Sequence, residues 1–212
     1  GIQVPEVKLV DVVDIENLPS GLPKFNGKAL AIRRFDRLKD GSKLHQEDFA
    51  QIFSLRPSQK YELATYRRIA RVLSIESEDA DIVEFMRRLV FNVLIGNADM
   101  HAKNWSVIYP DGRNAAIAPA YDFVSTIAYM PDDQLALKVS RTARFDEFTL
   151  DELAHMAAKA LLPEKYILDV ARETVERFHE VWASEKTHLP MMSGVRDGID
   201  EHLKKVPIYR EV

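Results

Sequence analysis

The chain has 212 residues, of which 46% are hydrophobic and 29% charged, and this composition supplies enough apolar surface for a folded core. The absence of cysteine excludes disulfide frameworks, thiol catalysis and cysteine zinc sites, and it favours the cytoplasm as the compartment. A net charge of -4 argues against nucleic acid as a direct partner, because proteins that bind phosphate backbones carry an excess of basic residues.

No stretch of the sequence approaches the roughly 20 apolar residues that a membrane-spanning helix requires. The longest apolar segment, residues 89–95, is interrupted by Asn92, so we expect no membrane association. The first residue is Gly1, and the residues after it lack the basic and apolar regions of a signal peptide. The beginning of the sequence is therefore interpreted as that of a truncated or cleaved chain.

Two short strands are predicted near the start of the chain. Residues 7–13 and 28–35 are rich in Val, Leu, Ile and Ala, and a segment with several Pro and Gly residues separates them. After the turn pair at residues 40–41 the pattern becomes helical, because Phe49, Ile52 and Phe53 share one face. Glu47 and Asp48 lie near the predicted start, where the helix dipole favours acidic residues. Pro57 is predicted to end this helix, and Ser58 is predicted to precede the next one.

The strongest helical periodicity in the sequence lies at residues 81–95. Its apolar residues recur at the i, i+3, i+4 spacing, which predicts a central and largely buried helix. Gly96 is predicted to end this helix, so that residues 97–104 leave it as a loop. Residues 105–109 and 114–118 flank a Pro-Asp-Gly-Arg turn sequence and are predicted to form a hairpin.

The chain is predicted to be helical from Thr149 onward. Thr149 and Glu152 match a capping box at the start of one helix, and Pro163 is predicted to begin the next. Apolar stripes continue along these segments toward the C-terminus. Together with the short strands, they predict an α+β fold that is mostly α.

Polar side chains are concentrated in the loop at residues 96–104 and in the segment at residues 119–123. Asp99 and Asn104 stand five positions apart, which is the spacing of the Asp and Asn in a protein-kinase catalytic loop. Asp122 follows the predicted hairpin, as the metal-binding Asp of kinases does. This order of residues points to phosphoryl transfer.

Phosphoryl transfer needs a carboxylate that deprotonates the attacking hydroxyl, and oxygen ligands that hold magnesium against the nucleotide phosphates. Asp99, Asn104 and Asp122 supply this minimum set, while His101 and Lys103 offer positive charge or hydrogen-bond donors. Loops after helices also contain Asn and Asp for turns and caps, and a D-x-x-x-x-N spacing arises by chance. The residues alone leave the catalytic and the structural interpretation open.

The loop sequence G-N-A-D-M-H-A-K-N closely resembles the G-N-x-D-x-H-x-K-N signature of the HipA-like serine/threonine kinases of bacterial toxin–antitoxin systems. Four further segments are similar to the family's motifs and follow in the family's order: R-R-F-D-R at residues 33–37, L-H-Q-E-D-F at 44–49, K-Y-E at 60–62 and P-A-Y-D-F at 119–123. A long signature with ordered companions is far more specific than one loop motif. The resemblance covers residues 1–185.

The resemblance implies a kinase-like C-terminal helical lobe with a short hinge strand pair and a catalytic-loop hairpin. Residues 1–40 would be the end of the small lobe and the hinge, and residues 41–212 the helical lobe. The family's Gly-rich phosphate loop and strand Lys do not occur in this sequence, so the N-terminal lobe is expected to be largely absent. Such a chain is expected to be weakly active or inactive alone.

The resemblance also implies roles for single residues. Asp99 would be the catalytic base, and Asn104 and Asp122 would bind Mg2+. Residues 46–48 would order the start of the following helix and buttress the site. ATP contacts are implied for the hinge and for both polar segments: Arg33, Arg34, Phe35, His101, Ala102, Lys103, Asn104, Tyr121 and Asp122.

The implied function is phosphorylation of a serine or threonine hydroxyl on a protein, using ATP and Mg2+. The resemblance further implies growth arrest through a translation-related target, such as an aminoacyl-tRNA synthetase, and a cognate DNA-binding antitoxin, HipB-like, as partner.

Two alternatives remain open. One is a catalytically incomplete lobe that serves as an antitoxin-binding module. The other is a metal-dependent phosphohydrolase that uses Asp99, His101 and Asp122, which fits the residue types but not their spacing around Asn104. A zinc site is not expected, because no H-E-x-x-H motif or pair of histidines at i and i+4 occurs.

Overall fold

The computed structural model describes residues 1–19, 27–56, 63–130 and 134–212. These ranges have the predicted character, since they are mixed α and β and mostly helical. The helices are α1 (Phe49–Ile52), α2 (Tyr66–Glu76), α3 (Asp79–Leu94), α4 (Leu150–Ala160), α5 (Glu164–Glu185), α6 (Ser193–Leu203) and α7 (Ile208–Glu211). The strands are β1 (Val7–Asp11), β2 (Lys28–Ile32), β3 (Gln46–Asp48), β4 (Ser106–Ile108) and β5 (Ala116–Ile117).

Helix α3 lies at the centre of the molecule and packs against α2, α5, α6 and β5. Most of its side chains are buried, as its periodicity predicts. The chain leaves the helix through Gly96, whose φ of 65° lies in the left-handed region that glycine tolerates. A Cβ atom on this residue would lie 2.3 Å from Cγ2 of Ile127. The predicted buried helix and its glycine stop are both confirmed.

The C-terminal helices form the scaffold that the sequence predicts, but the capping box at α4 is only half formed. Thr149 accepts a hydrogen bond from the Glu152 amide at 3.0 Å. The Glu152 carboxylate does not return to Thr149 and instead accepts the backbone amides of Ser140 and Arg141, at 2.9 and 2.7 Å. The buried Glu152 carboxylate, which the sequence predicts to cap the helix, therefore binds the preceding loop instead.

Strands β3, β4 and β5 form a small antiparallel sheet in that order. The predicted hairpin is confirmed as β4 and β5, with Val107 opposite Ile117. Strand β3 was predicted as a helix start, and that prediction is wrong for Glu47, which pairs with Val107. Asp48 does begin a helix, because its carboxylate accepts the Gln51 amide at 2.8 Å.

The first two helices also differ from their predicted bounds. Helix α1 is a single turn that ends at Ile52, well before Pro57, and α2 begins at Tyr66 with Thr65 as its cap. The Thr65 hydroxyl accepts the Arg68 amide at 3.1 Å, so the capping role assigned to Ser58 belongs to Thr65. Pro57 and Ser58 themselves, with the K-Y-E motif, lie outside the described residues.

Strands β1 and β2 form a separate antiparallel ribbon, as predicted, in which Leu9 lies opposite Leu30. No residue of either strand is buried. The segment before β1 reaches the helical body, where the Gln3 amide donates to Oε1 of Glu84 at 2.8 Å and the Gln3 carbonyl accepts the Ala120 amide at 2.8 Å. In the described ranges, no helix combines the length and the apolar character that a membrane crossing requires.

Candidate active site

The loop after α3 is shaped by Asn97, which is completely buried. Its side-chain oxygen accepts the Asp99 amide at 3.0 Å, and its nitrogen donates to Oδ1 of Asn92 at 2.8 Å. Asn92 is itself buried in α3 and donates to the Arg88 carbonyl. Two buried asparagines therefore connect the loop to α3 through side-chain hydrogen bonds.

Asp99 and Asn104 lie next to each other across this loop. The Asn104 amide nitrogen donates to the Asp99 carbonyl at 2.9 Å, and the Asp99 side chain is 49% exposed. His101 is buried beside it, with Nε2 at 3.9 Å from Oδ1 of Asp99. The loop thus presents a half-exposed carboxylate that is fixed by its own backbone.

The underside of the loop is anchored in the core. The Tyr66 hydroxyl donates to the Met100 carbonyl at 2.9 Å, and burial raises the pKa of this phenol. Ala102 is also completely buried, whereas Lys103 beside it is exposed. Met100 and Ala102 of the signature therefore belong to the core, whereas Lys103 lies at the surface.

The segment that carries Asp122 is bound to the same loop. The Asp122 carbonyl accepts the Asn97 side-chain amide at 3.4 Å, and the Tyr121 hydroxyl donates to the Lys103 carbonyl at 2.9 Å. The Tyr121 hydroxyl also contacts the Ser106 hydroxyl at the start of β4. Asp99, Asn104 and Asp122 consequently lie on adjoining segments, as the sequence predicts.

Asp122 has a left-handed backbone with a φ of 60° and an exposed side chain. This conformation costs an Asp about 1 kcal/mol and is found most often where the surroundings impose it. The hydrogen bonds of Tyr121 and Asn97 impose it here.

Residues 33–37, which the resemblance assigns to a hinge, reach the same place through an aromatic contact. The ring centroids of Phe35 and Tyr121 are 6.2 Å apart. Arg33 binds Glu6 through its side chain at 3.3 Å and through its amide at 2.9 Å. The side chain of Arg33 is therefore engaged in holding the ribbon to the hinge.

Arg34 is engaged in the hinge as well. Its Nε and Nη2 donate to the Asp36 carboxylate at 2.8 and 2.6 Å, and Arg37 binds the same carboxylate. The hydrogen bonds from Arg34 lower the pKa of Asp36 to about 2, while burial acts in the opposite direction. This carboxylate is a fixed anion between two guanidinium groups.

Asn104 and Asp122 suit a magnesium ion that is bound together with a nucleotide better than a metal ion that is bound by protein side chains alone. No cluster of three or more His, Asp or Glu side chains that could hold a metal ion occurs in the part of the chain that the structure describes. Asn104 and Asp122 offer one amide and one carboxylate oxygen, and Mg2+ typically takes few protein ligands and completes its shell with water and phosphate oxygens. The residues present therefore fit a magnesium ion carried by a nucleotide.

The family model of the HipA-like C-terminal domain matches residues 1–182. The chain belongs to this family. The loop described above lies within the matched residues, so the asparagines that shape it and the Asp99 carboxylate are parts of one HipA-like framework.

A curated relative, named "Putative kinase Y4dM", from Sinorhizobium fredii, is 54% identical over 212 residues, which are 100% of this chain and 52% of that protein. HipA of Shewanella oneidensis, solved with HipB and operator DNA, matches with a TM-score of 0.74 and 22% identity over 100% of this chain and 55% of its own. The proinflammatory kinase CtkA of Helicobacter pylori matches with a TM-score of 0.51 and 16% identity over 97% of this chain and 78% of its own. These two structures show the fold. The HipA-like domain spans about half the length of Y4dM and of the Shewanella protein.

One buried ion pair of this HipA-like domain was missed by sequence reasoning. Glu84 and Arg88 are buried on α3, with Nε of Arg88 at 2.7 Å from Oε1 of Glu84. Nη1 of Arg88 donates to the Ala118 carbonyl at 2.6 Å, which fixes the strand end that leads to Tyr121. Burial lowers the pKa of Arg88, and Glu84 opposes this effect. Charged residues at i and i+4 inside an apolar helix were the available signal.

Proposed function

We propose that this HipA-like domain is the larger lobe of a protein kinase that transfers phosphate from Mg-ATP to serine or threonine hydroxyls. The observation that carries the proposal is the position of Tyr121. Its ring contacts the hinge at Phe35, and its hydroxyl is bonded to the catalytic-loop residue Lys103 and to Ser106 of the hairpin. Three segments with kinase motifs therefore meet immediately before Asp122.

Each residue has a chemical task in this proposal. Asp99 orients the attacking hydroxyl and accepts its proton, for which a half-exposed carboxylate beside a buried imidazole is suited. Asn104 and Asp122 hold Mg2+, which neutralises charge on the nucleotide phosphates. His101 and the exposed Lys103 contribute donors toward the transferring phosphoryl group.

The hinge is proposed to bind adenine through the backbone of residues 33–35, since backbone groups donate and accept whatever the side chain. The ion pairs of Arg33 and Arg34 are consistent with adenine binding by the backbone, because both side chains are already bound to carboxylates. We assign residues 1–40 to the end of the small lobe and the hinge, and residues 41–212 to the helical lobe. The 212 residues contain no Gly-rich phosphate loop, so we expect weak nucleotide binding and slow transfer from this chain alone.

The test compares carboxylate variants in the 212-residue chain. Asp99→Asn should retain Mg-ATP binding and lose phosphoryl transfer, and Asp122→Asn should weaken binding only when magnesium is present. Asp197→Asn, on the exposed surface of α6, is the matched control and should change neither. Calorimetry measures binding, and mass spectrometry of a serine-containing protein measures transfer. Equal and measurable transfer by the Asp99 and Asp197 variants would defeat the assignment of the base.

The second candidate is an antitoxin-binding module whose catalysis is incomplete. It is favoured by the complex of the Shewanella HipA with HipB and operator DNA. In the first proposal a HipB-like antitoxin is also the partner, and a translation-related protein such as an aminoacyl-tRNA synthetase is the target in the cytoplasm. The two candidates separate in one experiment: a module binds the antitoxin equally in the wild type and in Asp99→Asn, and neither protein transfers phosphate.

A further inference from the structure

The hinge and the turn after it are strongly basic in an acidic protein. Residues 33–45 contain five Lys or Arg side chains and two Asp side chains, whereas the whole chain has a net charge of -4. Only part of this charge is needed for ion pairs within the fold. An excess of one sign beside a candidate active site attracts ligands of the opposite sign.

A cavity of about 510 Å³ opens in this basic region, and we call it the cationic cavity. Its wall includes Arg34, Asp36, Arg37, Lys43, His45 and Gln46. A smaller space of about 240 Å³ adjoins Arg33 and Lys39 on the other side of Arg34 and Arg37. The volume of the larger cavity is enough for a few amino-acid side chains.

The cations of the cavity are positioned before any ligand arrives. Asp36 holds the guanidinium groups of Arg34 and Arg37, whose side chains remain 65% and 41% exposed. Each guanidinium has five N–H donors, so both retain donors after the pairing. One carboxylate thus orders two cations and neutralises only one of them, which reduces the entropy that a ligand must overcome.

Lys43 adds a third cation, and it lies close to another residue of positive charge. An antiparallel bridge sets Lys43 directly opposite Arg37. Like charges at opposed positions destabilise a strand pair. A bound anion would remove this repulsion, so the arrangement favours an acidic ligand.

The cationic cavity lies beside the proposed phosphoryl-transfer site. Nε2 of Gln46, in the cavity wall, donates to the Ser106 hydroxyl at 3.1 Å, and Ser106 contacts the Tyr121 hydroxyl. Tyr121 precedes Asp122. Two hydrogen bonds therefore connect the cavity to the segment that is proposed to bind magnesium.

We propose that the cationic cavity binds acidic side chains of the protein substrate, close to the hydroxyl that is phosphorylated. This inference rests on the proposed function and specifies its substrate class. A peptide fits better than a nucleic acid, because the basic residues line one local depression whose wall also includes the carboxylate of Asp36. Nucleic-acid surfaces instead place many cations along a continuous backbone.

The test uses labelled peptides in which a central serine is flanked by glutamates, by glutamines or by lysines. The glutamate peptide should bind the 212-residue chain most tightly, measured by fluorescence anisotropy, and its affinity should fall as salt is added. Equal affinity for the glutamine peptide would overturn the proposal. Displacement of the glutamate peptide by Mg-ATP would also overturn it, because the cavity would then belong to the nucleotide.

Lys43→Glu tests the cavity itself, since Lys43 is exposed and its replacement leaves the Asp36 ion pairs intact. Reversal of this charge should weaken binding of the glutamate peptide about tenfold. Lys205→Glu, an exposed lysine outside the cavity, is the matched control and should leave the affinity unchanged. An equal loss in both variants contradicts the proposal, as does tighter, Lys43-dependent binding of oligothymidylate.

The failures of the two proposals are distinguishable. Asp99→Asn should bind the glutamate peptide like the wild type, because Asp99 does not line the cavity. If the wild type binds this peptide but neither binds Mg-ATP nor phosphorylates a serine, the proposed kinase function fails while the cavity assignment stands. If the wild type phosphorylates the glutamate and glutamine peptides equally, the kinase function stands and the acidic specificity fails.

Discussion

The ribbon of β1 and β2 and the loop at residues 96–104 are stabilised in opposite ways. The ribbon pairs Val7 with Ile32 and Leu9 with Leu30, and all four side chains are exposed, Leu30 at 62%. The loop presents few polar groups to solvent, but its backbone is held by buried side chains such as Asn97 and Tyr66. Buried polar side chains therefore hold the loop in place. The apolar side chains of the ribbon are exposed and contribute little to its attachment.

The physical cause lies in what each element packs against. A two-stranded ribbon is marginally stable without a further layer, and a contiguous exposed apolar face is typical of an interaction surface. The loop instead follows α3, the most buried helix, and its Asn97 side chain donates hydrogen bonds to Asn92 of α3 and to the Asp122 carbonyl. Substitutions should therefore affect stability strongly around α3 and weakly in the ribbon.

The largest effect is expected from Glu84→Ala. This change leaves Arg88 charged and buried without its carboxylate, which costs about 3–5 kcal/mol. The control is Glu173→Ala, which breaks the surface pair with Arg87 and should cost less than about 1 kcal/mol. Urea unfolding measures both. Similar losses in the two variants contradict the view that α3 carries the site.

A smaller effect is expected from Asn97→Ala. The variant loses the hydrogen bonds to the Asp99 amide and to Asn92, and buried polar groups left without partners cost about 1–3 kcal/mol. The Asp99 amide should also exchange faster with solvent deuterium, because its acceptor is gone. Asn114→Ala, in the exposed hairpin turn, serves as the comparison. Unchanged exchange at Asp99 would show that Asn97 does not order the loop.

A pH-dependent effect is expected at the hinge. Because Arg34 lowers the pKa of Asp36 from 3.8 to about 2 in the folded chain, the ionised carboxylate stabilises the fold above pH 4. This contribution should decrease as the pH falls from about 4 to about 2, as the carboxylate is protonated. Asp36→Asn should show a shallower loss of stability over this window, measured by urea unfolding at each pH. Identical pH profiles would contradict the ion-pair assignment.

The smallest effect is expected from Leu30→Thr in the ribbon. Threonine keeps the strand preference, and little buried surface is lost, so the free energy of unfolding should change by less than about 0.5 kcal/mol. Leu89→Ala in α3 should instead cost about 2–5 kcal/mol. A loss above about 2 kcal/mol for Leu30→Thr would show that the ribbon is packed as firmly as the helical body.

The sequence predicted the elements whose signals are local. Helix α3 and its stop at Gly96 follow from an apolar period and a glycine, and the β4–β5 hairpin from a turn sequence. Strand β3 was missed because three residues become a strand only by pairing with β4, which is distant in the chain. The ion pair of Glu84 and Arg88 was missed because the same spacing occurs on solvated helices.

For the candidate site, the sequence names residues but does not predict the shape that they form. The resemblance named Asp99, Asn104 and Asp122, and the structure brings their segments together. The left-handed backbone of Asp122 and the anchoring role of Tyr121 depend on contacts between distant segments. No local sequence pattern predicts contacts between distant segments, so only the fold shows them.

The most direct test of the central claim uses Mn2+ with a non-hydrolysable ATP analogue as a paramagnetic probe. In the amide spectrum of the 212-residue chain, the resonances of residues 97–104 and 121–123 should broaden selectively, and Asp122→Asn should abolish this broadening. Asp197→Asn should leave it unchanged. Broadening that is centred elsewhere, or that persists in Asp122→Asn, would contradict the claim that Asp99, Asn104 and Asp122 surround one nucleotide-bound metal ion.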